Sequence, residues 1–236
     1  MERVTEEVGA RLRMQWKLLD YIPFLINGVP WTLALVCFGL AMGFSIGLPL
    51  SVIDTFGSKR VARVIGAYVW FFRGTPLLVL LSLLYWGVLP SLGIKASPFL
   101  ASVLALGLRS SAYQSQIFRS AFLSIESGQL LAARSIGMSD SQALINVLIP
   151  QALRIALPSW SNEYAVMLKD SSICFALGVM EILTRAKYVS TATGLALFPF
   201  LIAGILYLVL TQVGVGIAEL VHRRFRIPGT VGVSNC

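Results

Sequence analysis

The sequence predicts an all-α integral membrane protein with about five transmembrane helices. Three observations carry that expectation. Of the 236 residues, 56% are hydrophobic and only 13% are charged, about half the charged share of a soluble domain. The mean hydropathy is +0.78. Charge-free runs recur along the chain, each near the ~20 residues that a helix needs to cross the hydrocarbon core. This composition excludes intrinsic disorder, which needs low hydrophobicity and high net charge. It also argues against an ordinary soluble enzyme.

Residues 1–20 hold Glu2, Arg3, Glu6, Glu7, Arg11, Arg13, Lys17 and Asp20. They contain no continuous apolar stretch of the kind a cleavable signal peptide has, so they read as an N-terminal interfacial or external segment. The charge-free run 21–53 gives the first span, at about 25–52. A second, about 62–89, rests on the run 74–94 extended backwards through 61–72. The third, about 98–121, lies in a run broken only by Arg109. The fourth, 149–183, is irregular, being apolar on balance but holding Arg154, Glu163, Lys169, Asp170 and Glu181. The last, about 195–219, falls in the charge-free run 188–218, and a tail at 229–236 ends the chain. Pro76, Pro150 and Pro158 suggest bends in the spans they open or interrupt.

Residues 124–147 differ in kind. They read SIESGQLLAARSIGMSDSQALINV, too polar to cross a bilayer. Two helical patches flank Gly137, with Ser139 and Ser141 as N-cap candidates for the second. The segment reads as a cytoplasmic helix–turn–helix, and a loop of this length is more often functional than idle.

Orientation follows the Lys/Arg bias. Lys59, Arg60 and Arg63 come after the first span, Arg119 and Arg134 after the third, and Arg223, Arg224 and Arg226 after the fifth. Alternation puts all of them on one side, which the positive-inside rule makes cytoplasmic. Lys95, Arg185, Lys187 and the basic residues of the N-terminal segment fall opposite. An odd number of spans then leaves the N-terminus outside and the C-terminus inside. The net charge of +8 reads as topology rather than nucleic-acid contact, because no basic patch is interleaved with aromatics. Cys37, Cys174 and Cys236 form no CxxC, which argues for neither a disulfide framework nor a zinc site. The single His222 cannot build a His-rich metal centre.

No GxxxxGK[ST], HExxH, GxSxG or GxGxxG occurs, so neither a P-loop nor these catalytic motifs are present. Paired carboxylates suited to acid–base work are absent. The chain is expected not to be an enzyme and to hold no cofactor or metal of its own. Charges at membrane depth then draw the attention, since each costs several kcal/mol unless it is paired or faces water. Arg109 reads either as a cation facing a polar pathway or as a structural partner of Glu163 or Asp170. Arg154, about one turn after Pro150, can snorkel to the surface. The run 162–172 is the most polar stretch at depth. Glu163 and Asp170 are seven apart and share a helix face, as do Asn162 and Lys169. Adjacent Lys169 and Asp170 followed by Ser171 and Ser172 can unwind a helix locally. Unwound backbone at depth is tolerated within protein or against a water-filled cavity, where transporters place substrate groups. The other reading of Lys169–Asp170 is an ion pair at the outer interface.

Three ordered motifs resemble those of ABC transporter permeases of the polar amino-acid uptake family. Arg73-Gly74-Thr75-Pro76-Leu77-Leu78-Val79 is similar to its RGTPLLV signature. Gly128-Gln129, Ala132-Ala133-Arg134, Gly137-Met138-Ser139 and Ile149-Pro150-Gln151-Ala152-Leu153-Arg154 resemble its cytoplasmic loop, with the pattern of EAA, three residues, Gly, nine residues and I-x-L-P. Asn162-Glu163 and Lys169-Asp170-Ser171-Ser172 resemble its NE…KD(S/T)S segment. The likeness spans about 20–228, a transmembrane permease domain. It departs at Leu131, where the pattern has Glu, at Leu80, where Gln is usual, at Gln116, where an acid is usual, and at Arg109, usually uncharged.

The resemblance implies a type I ABC importer fold with a cytoplasmic coupling helix pair, in a prokaryotic inner membrane. Two permease subunits, alike or different, would form the pathway for a small-molecule substrate, a polar amino acid. Two cytoplasmic ABC ATPase subunits would bind ATP and drive transport, and an external solute-binding protein would deliver the cargo. Leu131, Ala132, Ala133, Ile136, Gly137 and Met138 would form the ATPase-coupling surface. Small alanines permit close approach, and Gly137 permits a tight turn. Asn162, Glu163, Lys169, Asp170 and Ser171, with Arg109, would contact substrate. Lys169, Ser171 and backbone N–H groups suit a carboxylate, and Asp170 or Glu163 an ammonium. Arg109 would favour an acidic or neutral solute. The alternative class is an ion-coupled secondary transporter of small polar solutes, which has no need of the Gly137 loop and its downstream Pro150.

Overall fold

A computed structural model describes residues 19–225. The N-terminal segment 1–18 and the tail with Arg226 and Cys236 lie outside the described residues. Among the described residues every regular element is helical. In chain order the α-helices longer than three residues are α1 (Ile22–Ile26), α2 (Val29–Phe56), α3 (Lys59–Gly74), α4 (Leu77–Ser82), α5 (Pro98–Leu123), α6 (Ser127–Ser135), α7 (Asp140–Ala143), α8 (Ile149–Asp170), α9 (Ile182–Thr193) and α10 (Leu197–Phe225). By length and composition Ile22–Phe56, Asp140–Leu177 and Leu197–Arg224 each suffice to cross a bilayer. The expected span 98–121 is the continuous helix α5, whose Arg109, serines and glutamines dilute its apolar surface. The expected span 62–89 is interrupted between Gly74 and Leu77. Thr75 and Pro76 are extended there, with ψ of 130° and 138°, because a residue before proline is pushed out of the helical region. The Thr75 hydroxyl donates to the Phe71 carbonyl at 2.7 Å, occupying an acceptor left open at the helix end.

Two segments widen into π-helix, Leu83–Val88 and Leu144–Leu148. Each is followed by a residue that precedes a proline, Leu89 before Pro90 and Ile149 before Pro150. The Leu89 N–H bonds to the Leu84 carbonyl and the Ile149 N–H to the Leu144 carbonyl, five residues back. Proline offers no N–H, and its ring crowds the carbonyl four residues before it. A turn that carries one extra residue relieves that crowding.

The fourth expected span changes character at its polar end. Helix α8 stops at Asp170 and a 3-10 helix, Ser171–Leu177, follows. The Ser171 and Ser172 hydroxyls donate to the Leu168 and Lys169 carbonyls, both at 2.6 Å, competing with the α-helical ladder there. Gly178, at φ +80°, ends it.

The chain forms two compact units. Of the described residues, one comprises 19–38, 76–106 and 168–211. Its core gathers Leu25, Ile182, Ala186, Val189 and Ala203. Glu181 is fully buried at the N-cap of α9 and accepts from the backbone N–H groups of Leu183 and Thr184 at 2.8 and 2.6 Å. Its carboxylate also accepts from the Thr184 and Tyr207 hydroxyls. Arg185 stacks on the Phe24 ring and donates to the Phe24 carbonyl at 3.2 Å, holding α1 against α9.

The other unit comprises the described residues 39–75, 107–167 and 212–225. Phe118, Ala121, Phe122, Leu148, Ala152 and Ala156 form one cluster, and Ile65, Val69 and Ala112 another. Gly39, Gly43 and Gly47 repeat every four residues along α2, so they share one face. A Cβ on Gly43 would lie 2.8 Å from Ser110 Oγ, and one on Gly47 2.9 Å from the Ser111 carbonyl oxygen. Small residues at this spacing let helices approach closely where lipid supplies no hydrophobic drive between them. Arg119 pairs with Asp54 at 3.0 Å near the ends of α5 and α2.

Candidate functional site

A cavity of about 470 Å³ opens in the second unit, lined by Tyr113 and Ile117 of α5 and by Pro158, Ser159, Asn162, Glu163 and Val166 of α8. The lining spacings, four on α5 and four or so on α8, are what one helix face against another provides. Its volume falls in the range of small-molecule pockets. The wall is mostly apolar, with a few convergent polar groups. Glu163 is 5% exposed, and its Oε1 accepts from the Ser110 hydroxyl at 2.7 Å. Asn162 is exposed on the same wall. Two guanidinium groups stack on the Tyr113 ring, Arg73 at 4.7 Å and Arg109 at 5.3 Å from its centroid. Cation–π contacts of this kind draw a guanidinium to the face of an aromatic ring.

Of the substrate residues expected from sequence, Asn162 and Glu163 line this cavity, and Arg109 reaches it through the Tyr113 ring. Lys169, Asp170 and Ser171 belong to the other unit, at the junction of α8 with the 3-10 helix. Lys169 is exposed, and Ser171 is fully buried. Sequence reasoning gave no role to Tyr113, Ser110, Gln114, Trp160 or Glu181. The spacing of Ser110 and Gln114, four apart on a helix, is the signal that marks an inward polar face. Arg73 stood within the first motif, and the structure gives it a ring to stack on.

The segment 124–147 forms the helix pair α6 and α7. Gly137 sits between them at φ +87°, a backbone region that disfavours any side chain. Ser139 caps α7 in a reciprocal box, its hydroxyl accepting from the Gln142 N–H at 3.3 Å while Gln142 Oε1 accepts from the Ser139 N–H at 2.9 Å. Ser141 is inside the helix. Arg134 Nε bonds Asp140 at 2.7 Å across the turn. That guanidinium contact holds the Asp140 carboxyl below the usual carboxylate range and raises Arg134. Gln151 Nε2 reaches Gln129 Oε1 at 3.4 Å, tying α6 to α8. Leu131 and Ile136 are 66% and 76% exposed. Ala132 and Gly137 are exposed, Met138 is half-buried, and Ala133 is buried inside the pair.

Comparison with known proteins follows the same lines. The profile of the binding-protein-dependent transport system inner membrane component family matches residues 22–227. The nopaline transport system permease protein NocM of Agrobacterium fabrum (strain C58 / ATCC 33970) is 32% identical, covering 90% of this chain and 95% of its own. The arginine transport system permease protein ArtQ of Bacillus subtilis (strain 168) is 33% identical over 88% of this chain and 95% of its own. A crystallised amino acid ABC transporter with histidines has a chain with TM-score 0.79 and 34% identity, covering 89% of this chain and 97% of that one. The inward-facing MetNI methionine ABC transporter, at 21% identity and TM-score 0.79 over 88% of this chain, shares the fold.

Proposed function

This chain belongs to the binding-protein-dependent transport system inner membrane components, the multi-pass permease subunits of ABC importers, and from that premise we propose that its cavity between α5 and α8 is part of the route for a polar amino acid. The observation that carries the reading is Glu163, a nearly enclosed carboxylate on the wall of a small-molecule-sized cavity. Glu163 and Asn162 would meet the ammonium of an α-amino acid, and Arg109 with Arg73 would favour its carboxylate. Lys169, Asp170 and Ser171 remain in the proposal as pathway residues of the other unit. Relatives named for nopaline and arginine transport support amino acids and their derivatives as the cargo class.

The helix pair α6–α7 is the proposed docking element for a separate ATPase, which would bind and hydrolyse ATP. Leu131, Ala132, Ile136 and Met138 supply its surface, while Gly137 and buried Ala133 shape the turn. An external solute-binding protein would deliver cargo, and a second permease subunit, a copy or a relative, would complete the pathway. The N-terminus would lie outside and the C-terminus in the cytoplasm, with Lys59, Arg60, Arg63 and Arg119 on the cytoplasmic side.

Two measurements test this. Co-purification in mild detergent should capture the ATPase of the same transport system with the wild-type chain and not with Gly137→Asp. Failure of the folded wild-type chain to bind any ATPase would remove the ATP-driven reading and leave ion-driven uptake. In the reconstituted complex Glu163→Gln should raise the KM for uptake about tenfold, the worth of one charge-assisted hydrogen bond.

A further inference from the structure

Behind the cavity wall, four side chains form a line whose hydrogen atoms have a single arrangement. The Trp160 indole nitrogen can only donate, and it lies 2.9 Å from Gln114 Oε1. The Leu40 carbonyl can only accept, and it lies 3.1 Å from Gln114 Nε2. Together they fix which end of the Gln114 amide is which. Its Nε2 therefore donates to Ser110 Oγ at 3.0 Å. Ser110 has one proton, and the acceptor it faces is Glu163 Oε1 at 2.7 Å. Gln114 and Ser110 are fully buried, so bulk solvent does not supply a substitute partner.

We propose that Gln114 is a positioning residue of the transport route: through Ser110 it holds the Glu163 carboxylate, an acceptor, in place on the cavity wall, where it selects solutes that present an ammonium or other N–H donor. The proposal rests on the reading of the cavity as part of the route. A reversed amide would turn the Ser110 proton towards Gln114 Oε1 and leave Glu163 without that donor. Trp160, three hydrogen bonds from Glu163, thereby acts on the cavity wall through the direction of the line. The fixed donor also holds the carboxylate rotamer, since it ties Oε1 to α5.

The test uses the complete transporter, with its ATPase and solute-binding protein, in proteoliposomes. Uptake is read by mass spectrometry from an equimolar mixture of the common amino acids, then as KM and kcat for the amino acid taken up best. Gln114→Leu would strand buried partners and endanger folding, so the line is cut on either side of it, by Trp160→Phe and by Ser110→Ala. Co-elution with the ATPase reports assembly of each variant. Each cut should raise KM about tenfold and lower kcat by less. The double variant should be no worse than Ser110→Ala alone, because the two changes interrupt one line, whereas independent losses of packing multiply. Wild-type KM in either assembled single variant, or multiplied effects in the double variant, overturns the proposal. If Glu163→Gln leaves KM unchanged, or the wild-type complex moves no amino acid, the reading of the cavity fails and the proposal fails with it. If Glu163→Gln raises KM while the two cuts do not, the cavity reading stands and the role of Gln114 alone is refuted.

Discussion

Gly43 faces Ser110 and Gln114 so closely that no side chain fits. Gly43→Val should therefore cost about 1–3 kcal/mol through overpacking, seen as a lower Tm of the purified complex. Gly66 is the control, since nothing lies within 4 Å of a Cβ built there. Gly66→Ala should leave the Tm unchanged or raise it slightly, because alanine loses less backbone freedom in a helix. At the Gly137 turn the relevant residue is Asp140. The Arg134 hydrogen bond, aided by the opposite charge, keeps its carboxyl below the usual range. The clasp therefore contributes at every pH above the ordinary carboxylate range and fades as pH falls through the lowered value. Asp140→Asn should speed hydrogen exchange across 134–142 about twofold at neutral pH, a small effect as befits an exposed pair. In acid the variant and wild type should converge. Turn chemistry of this kind is local, which is why Gly137 and the capping serine could be read from sequence. The line through Gln114 could not be. Trp160 and Gln114 are 46 residues apart, and helical spacing says only that each faces inward, not that they meet.

The π turns belong to the scale of elements. The one at Leu144–Leu148 joins the helix pair to α8, and it sets the rotation of α7 about the axis it shares with α8. Deleting exposed Ile145 should let the segment regain α geometry, turning the pair by about 100° relative to α8, the angle of one residue. The variant should fold with stability within about 1 kcal/mol of wild type, yet hydrolysis by the captured ATPase should no longer drive uptake. Parallel assays of ATPase rate and solute entry check this. The span map was legible because charges are excluded from hydrocarbon. The character of the prolines was less so. Pro76, Pro90 and Pro150 produce one chain break and two widened turns, because the outcome depends on whether neighbouring residues can absorb an extra position, which periodicity does not reveal. The polar run after Asn162 did signal a change of helix type, since its serines sit where their hydroxyls take carbonyls from the ladder.

At the scale of the whole molecule, most of the apolar surface of α10 is left uncovered by the chain itself. Its most apolar window has a mean hydropathy of 2.2, and few of its residues are fully buried. The helix is thus a membrane element first and a packing element second, its first half held in the first unit by Ala203, Leu206 and Tyr207. Tyr207 gives this arrangement an order in time. Its hydroxyl bonds the enclosed carboxylate of Glu181, which precedes it by 26 residues. During synthesis, therefore, Glu181 emerges from the ribosome before Tyr207 does. The segment around α9 must wait, wet or loosely held, until the last helix has entered the bilayer and brought the tyrosine with it. A chain stopped at Gly194 should leave a cysteine placed at position 181 open to aqueous thiol reagents, and the same cysteine in the full-length chain should be closed to them. In this sense α10 is a clasp of biogenesis, closing over a carboxylate that emerges before it.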